Sequence, residues 1–320
     1  MEQPGMRRVA HEIDIAVPAD TVHRLIAEVE NWPRIFPATV HVDHDAAPEG
    51  EERLRIWEAG EGEPYSRPLR RIVEPAARRI NFELLATEDH VAWLGGAWIV
   101  EPLGEDGSRV RLLHEFQAEG DDAGAWERIE ASVDRDARAE LAALKENTER
   151  DHAAAAQELT FSFEDSVHID GSAKDVYDFI NDAHLWSERL PHVATVRLTE
   201  DTPGLQTLEM DTRAKDGSVH TTKSYRVTFP HQAIAYKQVT LPALMTLHTG
   251  HWTFQDTDHG VTATSQHTVT LNTDNIARIL GPDATTADAR DYVHTALSTN
   301  SLATLTHAKA HAEGGPCPRP

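Results

Sequence analysis

The feature that most constrains this chain is an internal repeat. The stretch Val17-Pro18-Ala19-Asp20-Thr21-Val22-His23-Arg24-Leu25-Ile26 lies over Gly171-Ser172-Ala173-Lys174-Asp175-Val176-Tyr177-Asp178-Phe179-Ile180. An offset of 154 residues carries Val22 to Val176, Leu25 to Phe179, Ile26 to Ile180, Trp32 to Trp186 and Trp98 to Trp252. Pro75 reaches Pro230 at 155 and His114 reaches His267 at 153, as small differences in loop length require. A repeat of this length means two copies of one domain rather than a solenoid of short units. The 320 residues are also about twice the length of an ordinary domain. The expected domains are residues 1–155 and 156–320, with a disordered tail from about residue 313.

Each half shows the same order of elements. An alternating segment opens it: Val9, His11, Ile13 and Ile15 in the first half, Phe161, Phe163, Val167 and Ile169 in the second. The period of two marks a strand with one buried face. A short helix follows, its apolar stripe at Val22, Leu25, Ile26 and Val29, and a Trp-containing segment closes that helical region. Strand-like runs come next, at 53–58, 65–73, 79–86, 91–101 and 109–118, then at 205–214, 219–229, 233–241, 250–255 and 261–271. Pro68 is expected to weaken or bulge its strand. A long helix ends each half, at about 124–155 and 286–312. The predicted class is α+β: two tandem domains, each an antiparallel sheet of about six or seven strands curled around a long C-terminal helix. That arrangement leaves a cavity lined by alternate strand residues.

Composition limits the partners. Thirty Lys and Arg against 53 Asp and Glu give a net charge of −23, which disfavours nucleic acid and anionic membrane surfaces. No apolar run is long enough to span a bilayer, and a cytoplasmic location is expected. The single cysteine, Cys317, permits no intramolecular disulfide. Phosphate-binding loops, dinucleotide fingerprints, nucleophile elbows and H-E-x-x-H motifs do not occur, and no cofactor is expected. His248 and His251 have metal-like spacing, but residues three apart on a strand face opposite sides, so no metal site is assigned.

The strand His220–Val227 holds the most telling chemistry. Thr222, Ser224 and Arg226 share one face. If that face is concave, a permanently charged guanidinium and a hydroxyl enter an apolar cavity near Trp186 and Trp252; if it is convex, Arg226 joins a surface ion pair. In the cavity Arg226 polarises a ketone or stabilises an enolate, but cannot act as a base. The first-half counterpart keeps Arg71 but has Leu69 opposite Ser224, which makes the second half the expected reaction chamber. Trp32, Trp98, Trp186 and Trp252 suit core packing or a cavity wall. Arg67, Arg70, Arg71, Arg78 and Arg79 form a basic cluster, read as a solvated face or a landing site for an acidic partner. His307 and His311 are read as a solvated helix face near a frayed end.

These residues resemble the two-domain aromatase/cyclases of bacterial aromatic (type II) polyketide synthases, within the helix-grip (Bet v 1-like, START-like) superfamily. Asn31-Trp32-Pro33-Arg34-Ile35-Phe36, Ser224-Tyr225-Arg226, Gly96-Ala97-Trp98 and Gly250-His251-Trp252 carry the likeness, over roughly residues 7–312. Ser187 and Leu190 depart from the proline and phenylalanine of that helix end. The resemblance implies first-ring closure, between C7 and C12, of a ketoreduced poly-β-ketone held on an acyl carrier protein, followed by dehydration to an aromatic ring. It implies catalytic roles for Arg226 and Ser224, with His251 and Tyr236 as proton carriers. Trp186, Trp252, Thr222 and Asn300 would bind substrate, with Arg71, Trp32, Trp98 and Tyr65 in the first half. Arg67, Arg70, Arg78 and Arg79 would dock the carrier protein, beside other synthase subunits including a ketoreductase. The alternative is a non-catalytic START-like carrier of a hydrophobic molecule, in which replacing Ser224 and Arg226 changes affinity without changing product identity.

Overall fold

The computed structural model describes residues 5–59, 64–87, 90–120, 123–213, 217 and 219–314. They form two compact units that divide between Ala153 and Ala154. The first runs β1 (Arg7–Ile15), α1 (Ala19–Ala27), α2 (Trp32–Ile35), β2 (Thr39–Asp45), β3 (Glu52–Glu58), β4 (Tyr65–Glu74), β5 (Arg79–Leu84), β6 (Val91–Pro102), β7 (Ser108–Ala118) and α3 (Ala123–Ala156). The second repeats it as β8 (Thr160–Ile169), α4 (Ala173–Asn181), α5 (Trp186–Arg189), β9 (Val193–Thr202), β10 (Leu205–Arg213), β11 (Val219–Phe229), β12 (Ala233–Thr240), β13 (Met245–Thr257), β14 (Gly260–Leu271) and α7 (Thr286–Ala312). An extra short helix, α6 (Ile276–Leu280), precedes α7.

Each unit is a seven-stranded antiparallel sheet, ordered β1-β7-β6-β5-β4-β3-β2 and β8-β14-β13-β12-β11-β10-β9. The opening strand pairs with the last one, and the other six form a meander. β2 and β9 are missing from the strand-like runs read in the sequence. They are edge strands, and β2 buries little beyond its first four residues, so its polar second half hides the alternation. Pro68 does not bulge β4, which pairs with β3 without a register shift. Its carbonyl accepts from the N–H of Leu85, so its missing donor points toward β5, where the ladder begins only at Leu69.

Burial follows the period of two. On β7 the residues Ser108, Val110, Leu112, His114, Phe116 and Ala118 are buried and their neighbours are not. Val110 and Leu112 pack with Val22, Leu25 and Ile26 of α1 and with Ala137, Leu141 and Leu144 of α3, and Phe116 and Ala118 pack with Ile129 and Val133 of α3. Each large side chain buried in this way contributes about 1.5–3 kcal/mol. Ser172 caps α4 by accepting from the N–H of Asp175 at 3.1 Å, and Thr285 and Asp288 form a capping box on α7.

The duplication extends to how each long helix is pinned. Lys145 Nζ donates to the Asp14 carbonyl and to Glu149, both at 2.7 Å, and Glu149 accepts from the N–H of Ala16 at 2.8 Å. Lys309 Nζ donates likewise to the His168 carbonyl at 2.7 Å and pairs with Glu313 at 2.8 Å, while Glu313 accepts from the N–H of Asp170 at 2.8 Å. Glu313 is thus tied to the sheet, at the point from which a disordered tail was expected. Cys317 and the rest of 315–320 lie outside the described residues. This match sets the register of the helices: Glu140 of α3 stands where α7 has Thr304, and Ala137 where it has Ser301.

Candidate functional site

Arg71 and Arg226 occupy equivalent places, and both point inward, at 3% exposure. Arg226 therefore does not sit in a surface ion pair. Its Nη2 donates to the Ile180 carbonyl at the end of α4 at 2.9 Å, and its guanidinium lies 5.5 Å from the Trp186 ring. Arg71 donates through Nη1 to the Ile26 carbonyl at 3.2 Å, again with its tryptophan, Trp32, at 5.8 Å. Trp32 Nε1 donates to the same carbonyl at 2.9 Å. A cation at a helix C-terminus satisfies orphan carbonyls and meets the negative end of the helix dipole. Both arginines are clamps that fasten the short helices to the sheet. Burial lowers the Arg226 pKa to about 10, so it remains charged.

A cavity of about 960 Å³ opens in the first unit, whereas the chemistry was expected in the second half. Phe36, Tyr65, Arg67, Leu84, His114 and Glu140 are among its walls. Arg67 shares the inward face of β4 with Leu69 and Arg71, and it grips Glu58 at two points: Nε to Oε2 at 2.6 Å and Nη2 to Oε1 at 3.1 Å. It is therefore a cavity residue, with 34% of its side chain still exposed. Burial acts to lower its pKa, but the Glu58 and Glu140 carboxylates outweigh that and hold it above the usual value.

Glu140 reaches the cavity from α3. Burial raises its carboxyl to about 7; Arg67 pulls it down, while Glu58 and Asp136 push it up. His114, packed edge-on against Phe82 at 5.6 Å, is lowered to about 4, by burial first and then by His11 and Arg67, so it is neutral at pH 7. The cavity thus holds a fixed cation, a carboxyl that gains and loses its proton near neutrality, and a neutral imidazole. That is the set needed to deprotonate carbon beside a ketone and stabilise the resulting oxyanion.

The register of the two sheets shows what replaces this set in the second unit. Glu58, Arg67 and Glu140 correspond to Thr212, Thr222 and Thr304, all buried. Ser224 shares the inward face with Thr222 and Arg226 and is half-buried. Tyr236 also faces inward, bonded to His267 Nδ1 at 2.9 Å. Trp252 and Trp98 are core residues. His251 faces the other way from His248 and Trp252 and is perturbed by burial and by Gln266, so it is no proton carrier for the interior. Asn300 is half-buried on α7, its carbonyl accepting from Thr304. His307 is 6% exposed and so is not on a solvated face, whereas His311 is exposed with its ring 5.3 Å from that of Phe179.

The rest of the basic cluster is engaged locally. Arg70 pairs with Glu83 and, at 3.4 Å, with Glu51. Arg78 pairs with Asp20 at 2.5 Å, and Arg79 Nε donates to Asn81 at 2.7 Å.

Sequence and structure comparisons agree with the duplicated fold. The family model "Polyketide cyclase / dehydrase and lipid transport" matches residues 6–149 and again 160–309. The granaticin polyketide synthase bifunctional cyclase/dehydratase of Streptomyces virginiae is 52% identical over 304 residues, 93% of this chain and 97% of that protein. The actinorhodin polyketide synthase bifunctional cyclase/dehydratase of Streptomyces coelicolor is 38% identical over 322 residues, 98% of this chain and 99% of that one. The solved di-domain ARO/CYC BexL from the BE-7585A biosynthetic pathway superposes with a TM-score of 0.90 at 56% identity, covering 98% of this chain and all of that one (100%). StfQ, the di-domain ARO/CYC from the steffimycin pathway, gives 0.84 at 33% identity, with 96% and 98% covered. Duplicated in sequence, sheet order and arginine clamps, the chain belongs to the polyketide cyclase/dehydrase and lipid transport family, as a two-domain aromatase/cyclase enzyme of helix-grip fold.

Proposed function

We propose that this enzyme closes the first ring of a ketoreduced poly-β-ketone, between C7 and C12, and dehydrates it to an aromatic ring. The substrate arrives on an acyl carrier protein, and the reaction takes place in the cytoplasm beside the other synthase subunits. The first-domain cavity is the reaction chamber. The observation that carries this reading is the convergence of Arg67 and Glu140 on one cavity.

The Glu140 carboxylate takes a proton from a methylene between two carbonyls. The enolate carbon attacks a ketone whose oxygen is held by Arg67, forming the ring C–C bond and an alkoxide. Protonation of that alkoxide gives a β-hydroxyketone, which loses water as a second carbon-bound proton leaves. Because a free poly-β-ketone closes in many ways, much of the gain comes from holding one fold of the chain between Phe36, Tyr65 and Leu84. A passive carrier has no use for a carboxyl whose buried charge costs folding energy, which favours the enzymatic reading.

The test is reconstitution with a minimal synthase and a ketoreductase. Carbon-13 labelling of the products should show the C7–C12 bond only when this protein is added. An unchanged product register would overturn the assignment.

A further inference from the structure

The histidine that lines the first cavity has a second polar layer beside it. His11 of β1 pairs with Leu112 of β7, and Val9 pairs with His114. His11 and His114 are therefore diagonal neighbours on one inward face, a spacing that long side chains bridge. The partner of His11 comes from α3: His11 Nε2 lies 2.7 Å from Asp134 Oδ1, and Arg138 holds the same carboxylate through contacts of 2.9, 3.0 and 3.1 Å. Those bonds, Arg138 first and His11 second, lower the Asp134 pKa to about 2. Asp134 is thus an acceptor only, and the shared proton belongs to His11 Nε2.

That proton leaves His11 Nδ1 as a lone pair. His11 Nδ1 and His114 Nδ1 are both buried, and neither has a hydrogen-bond partner among the described residues. Burial first, then His11 and Arg67, lower the His114 pKa to about 4, so His114 is neutral and has one proton to place. On Nδ1 that proton meets the lone pair of His11. On Nε2 it leaves two buried acceptors side by side, an unmatched arrangement that costs free energy. The other charged groups of the cavity wall are engaged elsewhere: Arg67 holds Glu58 at 3.1 Å, and Asp136 accepts from Arg135 at 3.1 Å.

The second domain keeps this arrangement with different atoms. Asp165 stands where the first domain has His11, and Ser298 where it has Asp134; Ser298 Oγ donates to Asp165 Oδ1 at 2.7 Å. Asp165 Oδ2 is buried without a partner among the described residues. It pulls up the pKa of His267, the counterpart of His114, against the burial that lowers it to about 4. In both copies the long helix fixes a strand residue so that its free acceptor backs the same histidine. A polar pair of purely local use gives no reason for that recurrence.

We propose that Asp134 and His11 are a positioning pair that keeps the His114 proton on Nδ1, so that His114 Nε2 offers the first-domain cavity a hydrogen-bond acceptor for a substrate hydroxyl. Arg67 can only donate, which suits ketone oxygens. A ketoreduced chain carries a hydroxyl among its ketones, and the bare nitrogen distinguishes it from an unreduced chain, because a site built to bond a hydroxyl rejects the analogue that lacks it. The hydroxyl-bearing substrate rests on the function proposed above; the placement of the proton rests on the pair.

Nitrogen-15 spectra of the full chain labelled at histidine test the placement, with the His114 signals identified by their loss in His114→Gln. Near neutral pH the wild type should show Nδ1 protonated and Nε2 bare. His11→Leu should release the proton to both nitrogens. His11→Gln, whose amide donates to Asp134 and accepts from His114, should restore it, and thermal melts verify folding of each variant. In calorimetric titrations the affinity for 1-tetralol should fall about three- to tenfold in His11→Leu and return in His11→Gln, while 1-tetralone, which has no hydroxyl, binds all three proteins alike. A wild-type His114 protonated on Nε2, or a tetralol affinity unmoved by His11→Leu, would overturn the proposal. Neither measurement reads product, so failed cyclisation in the reconstituted synthase leaves both decisive.

Discussion

Glu140 gives a prediction in which activity and stability move in opposite directions. Burial raises its carboxyl to about 7 in the folded chain against an ordinary value of 4.5. Between pH 4.5 and 7 the folded state therefore holds the proton more tightly than the unfolded state. Stability falls as pH rises through that window, and the loss is complete above it. At 1.36 kcal/mol for each pH unit, the penalty at pH 8 is at most about 3 kcal/mol, less where cavity water screens the charge. Glu140→Gln keeps the shape and removes the charge. Urea titrations should show the variant more stable than wild type at pH 8, by up to about 3 kcal/mol, with the difference shrinking to nothing near pH 4.5. The same variant should lose product formation, while wild-type turnover should rise with pH about a midpoint near 7. A stability difference independent of pH, or a Gln variant of wild-type activity, would refute the reasoning.

Three further outcomes follow from the geometry. Arg226→Met removes the clamp on α4 and should lower stability by about 2 kcal/mol, the lost charge-assisted bond being partly offset by the relieved burial of a cation. Its aromatic product should be unchanged, as product analysis would verify. Ser172→Ala removes the cap of α4 and should cost about 1 kcal/mol in a urea titration. Reversing Arg70 and Arg78 to Glu should change carrier-protein affinity less than about twofold at physiological salt, because exposed charges already paired contribute little. A tenfold loss by titration would restore a docking role to that surface.

The duplication and the element order, apart from the edge strands β2 and β9, were legible because tryptophans and apolar stripes repeat with the period of the fold. Arg226 was visible as an inward residue on one branch of the parity argument, but its bond to the Ile180 carbonyl depends on how α4 meets the sheet, and no strand pattern reveals that. Arg67 was hidden among its neighbours, since five arginines between 67 and 79 look like one surface patch. Its parity with Arg71 was the available signal: residues 67, 69 and 71 share a face, and 70 does not. Glu140 gave a fainter one, lying beside the inner stripe of Ala137, Leu141 and Leu144 on a helix rich in exposed acids. His251 went the other way, since its place next to Trp252 in the resembling motif outweighed the parity that turns it from the interior. The polarity exchange between the two halves needs the strand registers, because loop insertions shift the offset between 153 and 155.

The most direct test of the account compares Arg67→Ala with Arg226→Met in the reconstituted synthase, with both proteins shown to be folded by melting curves. The account predicts that Arg67→Ala returns the product distribution to that obtained without the enzyme, whereas Arg226→Met still yields the correctly closed aromatic compound. Normal product from Arg67→Ala, with shunt compounds from Arg226→Met, would place the chemistry in the second domain and contradict it.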